Sequence, residues 1–336
     1  MRIGFTVSAG LESRWLTVAV PTYRRPQMLR DALASIRAQT RLEEVDVLVT
    51  DDGGLPETAR VIAECGLPRV RHLVNPRRLG AVGNWNRCLA EASGTWVTLL
   101  HEDDVLYPWF VETVRAHVRE GWVAVSVRCD RGDEPPARPR QRGRAGARSY
   151  PAGWFLKSSP TPFPGVVLQR RVAEAIGGFD ARQGGLADYV FWYELSRRGP
   201  FRQVRETAAF YRHSAGQWTE TEWPDMLRRA HLLRLRIVRE ELRSFRRAGR
   251  WLARFYTARM AGSYQRQFEA KPAVLSRALA FRNQPGSGCP SGWAWRFLQM
   301  LVLMERVRRP AEPRVVLAEA LSGYAEETGV RQPAVR

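Results

Sequence analysis

The chain has 336 residues, 44% of them hydrophobic, and a net charge of +19, enough for one large α/β domain with an appendage or for two domains. No apolar run reaches the roughly 18–20 residues that cross a bilayer, so no membrane-spanning helix is expected. Four cysteines (Cys65, Cys88, Cys129 and Cys289) show no CxxC spacing, which argues against a zinc site or a disulfide framework. Residues 1–14 lack the basic-then-apolar pattern of a secretion signal, and both observations predict a cytoplasmic protein.

The positive charge is almost wholly arginine, because Lys157 and Lys271 are the only lysines. Such a surface attracts phosphates in general, but no zinc finger, RNA-binding sheet signature or helical basic region accompanies it. Nucleic acid is therefore not expected as a partner. The arginine bias also reads as compositional, and charge alone assigns no function.

In chain order, Leu16–Val20 is a short strand closed by Pro21, with Thr22-Tyr23-Arg24-Arg25 as its exit. Asp31 to Gln39 reads as a helix, Val45–Val49 as a second strand ending in Asp51-Asp52-Gly53-Gly54, and Glu57 to Cys65 as a second helix. Val70–Val74 is a third strand. A Gly- and Arg-rich loop follows from Asn75 to Gly83, then a helix from Asn84 to Glu91. Trp96–Leu100 is a fourth strand that runs straight into His101-Glu102-Asp103-Asp104. Strands alternating with helices imply a parallel sheet with right-handed crossovers, which gathers the polar strand exits at one edge.

At that edge, Asp103 and Asp104 offer hard oxygen donors suited to Mg²⁺ or Mn²⁺, and hence to a diphosphate. The competing reading is a helix start capped by one of the two acids, ahead of Pro108. A dinucleotide-binding G-x-G-x-x-G and a phosphate-binding G-x-x-x-x-G-K-[ST] are both absent. A receiver-type phosphoacceptor domain would be far shorter.

The second half begins with Arg131 to Arg148, poor in apolar residues and read as a mobile loop. Phe163 to Gln169 resumes strand character, and Arg171 to Ile176 is a short helix ended by Gly177-Gly178. Asp188 opens a helix containing Val190, Phe191 and Leu195, either as its cap or as a functional acid. Beyond Glu220 the chain reads as helices. Leu227 to Phe245 carries an apolar stripe at Leu232, Leu235, Val238, Leu242 and Phe245, and Trp293 to Met304 is shorter and more apolar. These helices form a packed cap or a basic surface that touches anionic membrane at the inner face, with the packed cap favoured. Pro285-Gly286-Ser287-Gly288 marks a loop between them.

Several spaced segments together carry a resemblance. They are Val20-Pro21-Thr22-Tyr23-Arg24-Arg25, Asp51-Asp52-Gly53, Gly80 to Asn86, Ala92-Ser93-Gly94-Thr95-Trp96 and Leu100-His101-Glu102-Asp103-Asp104. Gly177-Gly178-Phe179-Asp180, Ala187-Asp188-Tyr189-Val190-Phe191-Trp192 and Tyr211-Arg212-His213 continue the series. In unbroken order from Thr17 to Thr219 this resembles glycosyltransferase family 2. The resemblance implies an α/β GT-A fold: a mostly parallel nucleotide-binding sheet flanked by helices, followed by a C-terminal helical extension. The catalytic domain would span 1–219, with the donor-binding half at about 15–125 and the acceptor half at about 150–219, and the helical region would span 220–336.

By that resemblance the chain is an inverting glycosyltransferase. It would use a nucleotide-diphosphate sugar, with UDP or dTDP favoured, and a divalent metal, Mn²⁺ or Mg²⁺. Thr22, Tyr23, Arg24, Asp51, Asp52, Arg78, Asn86, His101 and Arg212 would lie on the donor, with Tyr23 stacked on the base and Asp52 hydrogen-bonded to it. Asp103, Asp104 and His213 would hold the metal, Glu102 would point away from it, Asp180 would be structural, and Asp188 would be the catalytic base. His101 stands where the family usually has an acid, and Ala187 where many relatives have a glutamate. The acceptor is a glycan, a lipid carrier or a small natural product. A nucleotidyltransferase, or a non-catalytic binder of sugar nucleotides or polyanions, is the alternative.

Overall fold

The computed structural model describes residues 14–141, 143, 146–160, 162–213, 218–268 and 291–308. Cys289 and the loop expected at Pro285–Gly288 lie outside them, as does most of the segment read for a leader. Among the described residues no helix is long and apolar enough to cross a membrane.

The first strand, β1 (Leu16–Thr22), is buried along its whole length, as a strand covered on both faces must be. Its side chains divide between two cores. Leu16, Val18 and Val20 join one with Leu29, Leu33 and Ile36, whereas Ala19 joins the other with Val82, Trp85 and Leu89. The first core is covered by α1 (Pro26–Arg37), which starts earlier than the apolar spacing indicated because Pro26 supplies its first turn. The second is covered in part by α3 (Gly80–Glu91). Between them in sequence lie β2 (Val45–Asp51), α2 (Pro56–Glu64) and β3 (Arg71–Val74), and α3 is followed by β4 (Trp96–Leu99).

Next come β5 (Val105–Leu106), α4 (Phe110–Arg115), β6 (Ala124–Gly132), β7 (Ala147–Ser149), β8 (Val166–Gln169), α5 (Arg170–Ala175), α6 (Ala187–Arg198) and β9 (Phe201–Arg212). The sheet order is β3-β2-β1-β4-β8-β6-β9-β5, with β7 on β9. β3, β2, β1 and β4 are parallel. Antiparallel pairs β4–β8 and β6–β8 attach the second half. Both ends of the segment read as a mobile loop are strand, since β6 runs to Gly132 along β9 and β7 begins at Ala147. Phe163–Gly165, expected as strand, is a tight 3₁₀ turn instead.

Three helices close the described chain: α7 (Trp218–Glu241), α8 (Arg246–Phe268) and α9 (Ser291–Arg308). They share the second core, where Ile237, Val238, Leu242, Leu252, Phe255 and Leu298 cluster with Phe155, Tyr193 and Phe201. The buried stripe of α7 is Ala230, Leu233, Ile237 and Val238, rotated from the expected one, and Leu232 faces solvent. Arg234 sits inside on that face at 2% exposure, donating from Nε to the Leu156 carbonyl (3.0 Å) and from Nη1 to Thr257 Oγ1 (3.2 Å). A long side chain that satisfies backbone carbonyls displaced the expected alternation of leucines and arginines.

Candidate active site

The order 3-2-1-4 means that the chain leaves β1 toward β2 on one side and returns to its other side at β4. Such a switch point opens a crevice at the carboxyl ends of β1 and β4. The two exits are stitched together: Leu100 N–H donates to the Ala19 carbonyl (2.9 Å), and Glu102 accepts from the Thr22 hydroxyl and from Tyr23 N–H (3.0 Å). Glu102 therefore faces the β1 exit, away from its acidic neighbours, and burial lifts its carboxyl to about 7 against the pull of those two donors. Thr22, expected on the donor, is buried and turned to Glu102.

A tight turn, with Asp104 N–H on the His101 carbonyl (3.0 Å), brings His101, Asp103 and Asp104 together with ligand atoms within 4.8 Å of one another. His101 is walled by Trp85 (ring centroids 5.2 Å) and Phe163 (4.3 Å). Burial holds its pKa below 6.5 although Asp103 pulls upward, so the imidazole is neutral and able to ligate. Asp104 Oδ1 accepts from Arg212 N–H (3.0 Å), and burial, then Asp103, push its carboxyl well up. Asp104 Oδ2 and His101 Nε2 are buried without a hydrogen-bond partner. Two orphaned donor atoms beside a third acid are what a small divalent cation satisfies, so the residues fit the expected metal. His101, expected on the donor, lies in one cluster with Asp103 and Asp104. His213 stays outside that cluster, exposed, with its ring edge-on to Tyr211 at 5.8 Å.

The donor-side expectations divide. Tyr23 is partly exposed, with the Arg78 guanidinium 4.6 Å and that of Arg24 5.5 Å from its ring centroid. Arg24 is the only non-glycine at positive φ (58°) among the described residues. A Cβ on Gly53 would lie 2.8 Å from Arg24 Cγ, so the two loops meet only because Gly53 has no side chain. Asp51 holds the turn, accepting from Gly53 N–H (2.8 Å) and Gly54 N–H (2.9 Å). Asp52, expected on the base, is instead the side-on cap of α3. Its oxygens accept from Asn75 Nδ2 (2.7 Å), Leu79 N–H (2.7 Å) and Gly80 N–H (2.9 Å).

Asn86, expected on the donor, is bonded to a backbone turn. Its amide accepts from Phe179 N–H (2.7 Å) and donates to the Phe179 carbonyl (2.9 Å), fixing the turn in which Gly178 has φ 70°. Asn86→Ala is expected to lower stability by about 1–3 kcal/mol, because two backbone groups lose their partners. Donor affinity of the folded variant, measured by calorimetry, should be unchanged. Arg212, expected on the diphosphate, is 4% exposed and reaches Asp31 (2.9 Å) and Glu134 (3.4 Å), while its backbone positions Asp104.

The acceptor side comes from α6 and β9. Asp188 lies in the first turn of α6, where Leu186 is the cap residue, and its Oδ1 accepts from Tyr189 N–H (2.6 Å). Burial raises its carboxyl from 3.8 to about 6. Upstream, Glu222 of α7 accepts from Gly185 N–H (3.1 Å), so the C-terminal helices help to fix the approach to Asp188. Tyr211 precedes Arg212, whose N–H holds Asp104. Its phenol is pushed up first by burial and then by Asp104, Asp103 and Asp188, with Arg131 over its ring at 5.7 Å. Trp85 and Tyr211 fall within segments of the resemblance but, like Phe163, receive no role from the sequence, because aromatics look the same in any core.

Residues 17–177, which hold the exits of β1 and β4 and the His101–Asp104 turn, match the Glycosyl transferase family 2 description. This chain carries a glycosyltransferase family 2 domain. The transferase is 28% identical to an uncharacterised Mycobacterium tuberculosis protein over 239 residues, covering 66% of this chain and 74% of that protein. It is 32% identical over 117 residues to the Campylobacter jejuni GalNAc(5)-diNAcBac-PP-undecaprenol beta-1,3-glucosyltransferase, covering 34% of this chain and 38% of that enzyme. S. aureus TarS 1-349 in complex with UDP-GlcNAc superposes with a TM-score of 0.60 at 13% identity, covering 92% of each chain. That likeness shows the fold. The family match sets aside a nucleotidyltransferase and a non-catalytic binder, and the transferase is an enzyme of the glycosyl-transfer class.

Proposed function

We propose that the enzyme transfers a sugar from a UDP- or dTDP-sugar to an acceptor hydroxyl, with inversion and with a divalent cation at His101, Asp103 and Asp104. One observation carries the reading: His101, Asp103 and Asp104 gather their ligand atoms within 4.8 Å at the exit of β4, with Asp104 Oδ2 and His101 Nε2 buried and unpartnered. The cation supplies charge compensation for the leaving diphosphate. Asp188 takes the proton of the acceptor hydroxyl as that oxygen bonds to the anomeric carbon and the bond to the diphosphate breaks. Its raised carboxyl suits a base that works near neutral pH. Tyr23 and Arg78 take the base, and Arg212 holds Asp104 through its backbone. The uridine nucleotide is favoured because the same fold in TarS holds UDP-GlcNAc. A lipid-linked glycan is favoured as acceptor because the C. jejuni relative is named for one.

Thermal shift with UDP, dTDP and GDP, each with and without Mn²⁺, tests this. A ligand at about a hundred times its dissociation constant stabilises by about 2.7 kcal/mol. UDP or dTDP with Mn²⁺ should give the largest shift, and an equal shift with and without metal would refute the cation site. Tyr23→Ala should weaken nucleotide binding by about 1–3 kcal/mol through lost stacking, with metal preference unchanged. Calorimetry that finds no loss would assign Tyr23 to Arg78 alone.

A further inference from the structure

The last described helix is apolar on both sides. One face of α9 buries Ala294, Leu298, Leu301 and Val302 in the core, and Glu305 is pinned to Ser244 N–H at 2.9 Å. The opposite face presents Trp293 at 55% exposure, Met300 at 46%, Leu303 at 64% and Met304 at 37%, positions that fall on one helical stripe. A helix that only capped a core would be polar there. On α7, Leu232 is 54% exposed beside a groove of about 500 Å³ between α7 and α8, lined by Leu235 and Val238 together with Arg239, Arg246 and Arg250.

Arg243, Arg246, Arg247, Arg250 and Arg254 are all exposed, and none of them forms an ion pair among the described residues. The helix that carries Arg246, Arg247, Arg250 and Arg254 meets the start of the apolar stripe, because its Trp251 ring stands edge-on to Trp293 at 6.1 Å.

We propose that the exposed faces of α7, α8 and α9 dock on an anionic lipid bilayer. Guanidinium groups at headgroup level, beside a tryptophan and three long apolar side chains that reach the acyl boundary, match the two layers of such a surface. A nucleic acid would meet the arginines and leave Trp293, Met300 and Leu303 in water. A second copy of the chain would cover the apolar stripe and set arginine against arginine. The proposal stands apart from the assignment of the nucleotide site, and its test reads binding without turnover.

The full chain is sedimented with phosphatidylcholine vesicles, with and without phosphatidylglycerol. It should follow the anionic vesicles and be released by high salt. R246E/R250E and M300S/L303S alter exposed side chains, and their melting curves should match that of the parent. Each pair should weaken vesicle binding by about tenfold or more. Equal partition to both vesicle types, or unchanged binding by both variants, overturns the proposal. A dimer in lipid-free centrifugation that M300S/L303S dissociates would assign the face to a second copy and overturn it as well.

Discussion

Asp188→Asn is expected to reduce turnover by about 10²–10⁴-fold while leaving donor affinity nearly unchanged. Asparagine retains the shape and the bond from Tyr189 N–H but cannot take a proton. The pH profile provides an independent check. With Asp188 lifted to about 6, kcat/KM should rise as pH climbs toward that value and level off above it, and the residual activity of the variant should lack that limb. Stability should run the other way. A carboxyl whose folded pKa lies above its ordinary 3.8 keeps its proton more firmly in the folded chain, so its contribution falls as pH rises from 3.8 to about 6. The Asn variant should therefore melt no lower than the parent at neutral pH. Near-parental turnover in that folded variant would remove Asp188 from the chemistry and leave it as a first-turn acid of α6.

Asp103→Ala should abolish metal-dependent nucleotide binding and leave the fold intact. The side chain lies at the rim of the cluster, paired with Arg25 at 3.3 Å, and its removal opens no cavity in either core. Nucleotide affinity should become insensitive to Mn²⁺, a difference that titration calorimetry reads directly. Asp104→Ala is the less clean variant, because Asp104 also receives the Arg212 N–H and is buried at 1% exposure. Parental Mn²⁺ dependence in Asp103→Ala would transfer the cation to other ligands.

The donor-binding half was legible because its signals are local. β-branched strand runs, helical apolar spacing and acids after β4 each depend on a few neighbouring residues. What the sequence did not disclose is which way a polar group turns when several surfaces compete for it. Asp52 and Asn86 occupy positions that read as ligand contacts, yet each finds backbone N–H groups brought near by a distant turn, and a buried backbone group cannot go unpaired. Glu102 was expected to point away from the cluster, and it does so by reaching the β1 exit. His101 was assigned to the donor, and only the folded chain shows its neutral imidazole between Trp85 and Phe163. The antiparallel strands of the second half were hidden for a further reason. Their pairing partners are distant in sequence, and β6 lies antiparallel to β8 on one side but parallel to β9 on the other, with a register shift near Arg128 that no periodicity encodes.

The second core has no seam at the point where the family motifs stop. Phe155, Tyr193 and Phe201 lie before residue 219, whereas Ile237, Leu252, Phe255 and Leu298 lie after it, and all belong to one cluster. A ribosome that has released residues up to 219 has made every element of the sheet but half the cover of that core. The acceptor half must then wait, with aromatic side chains in water, until α7, α8 and α9 emerge. At synthesis rates of about 5–20 residues per second this interval lasts several seconds. The last helices are thus a folding deadline for the catalytic half, and a chain cut at the family boundary would miss it.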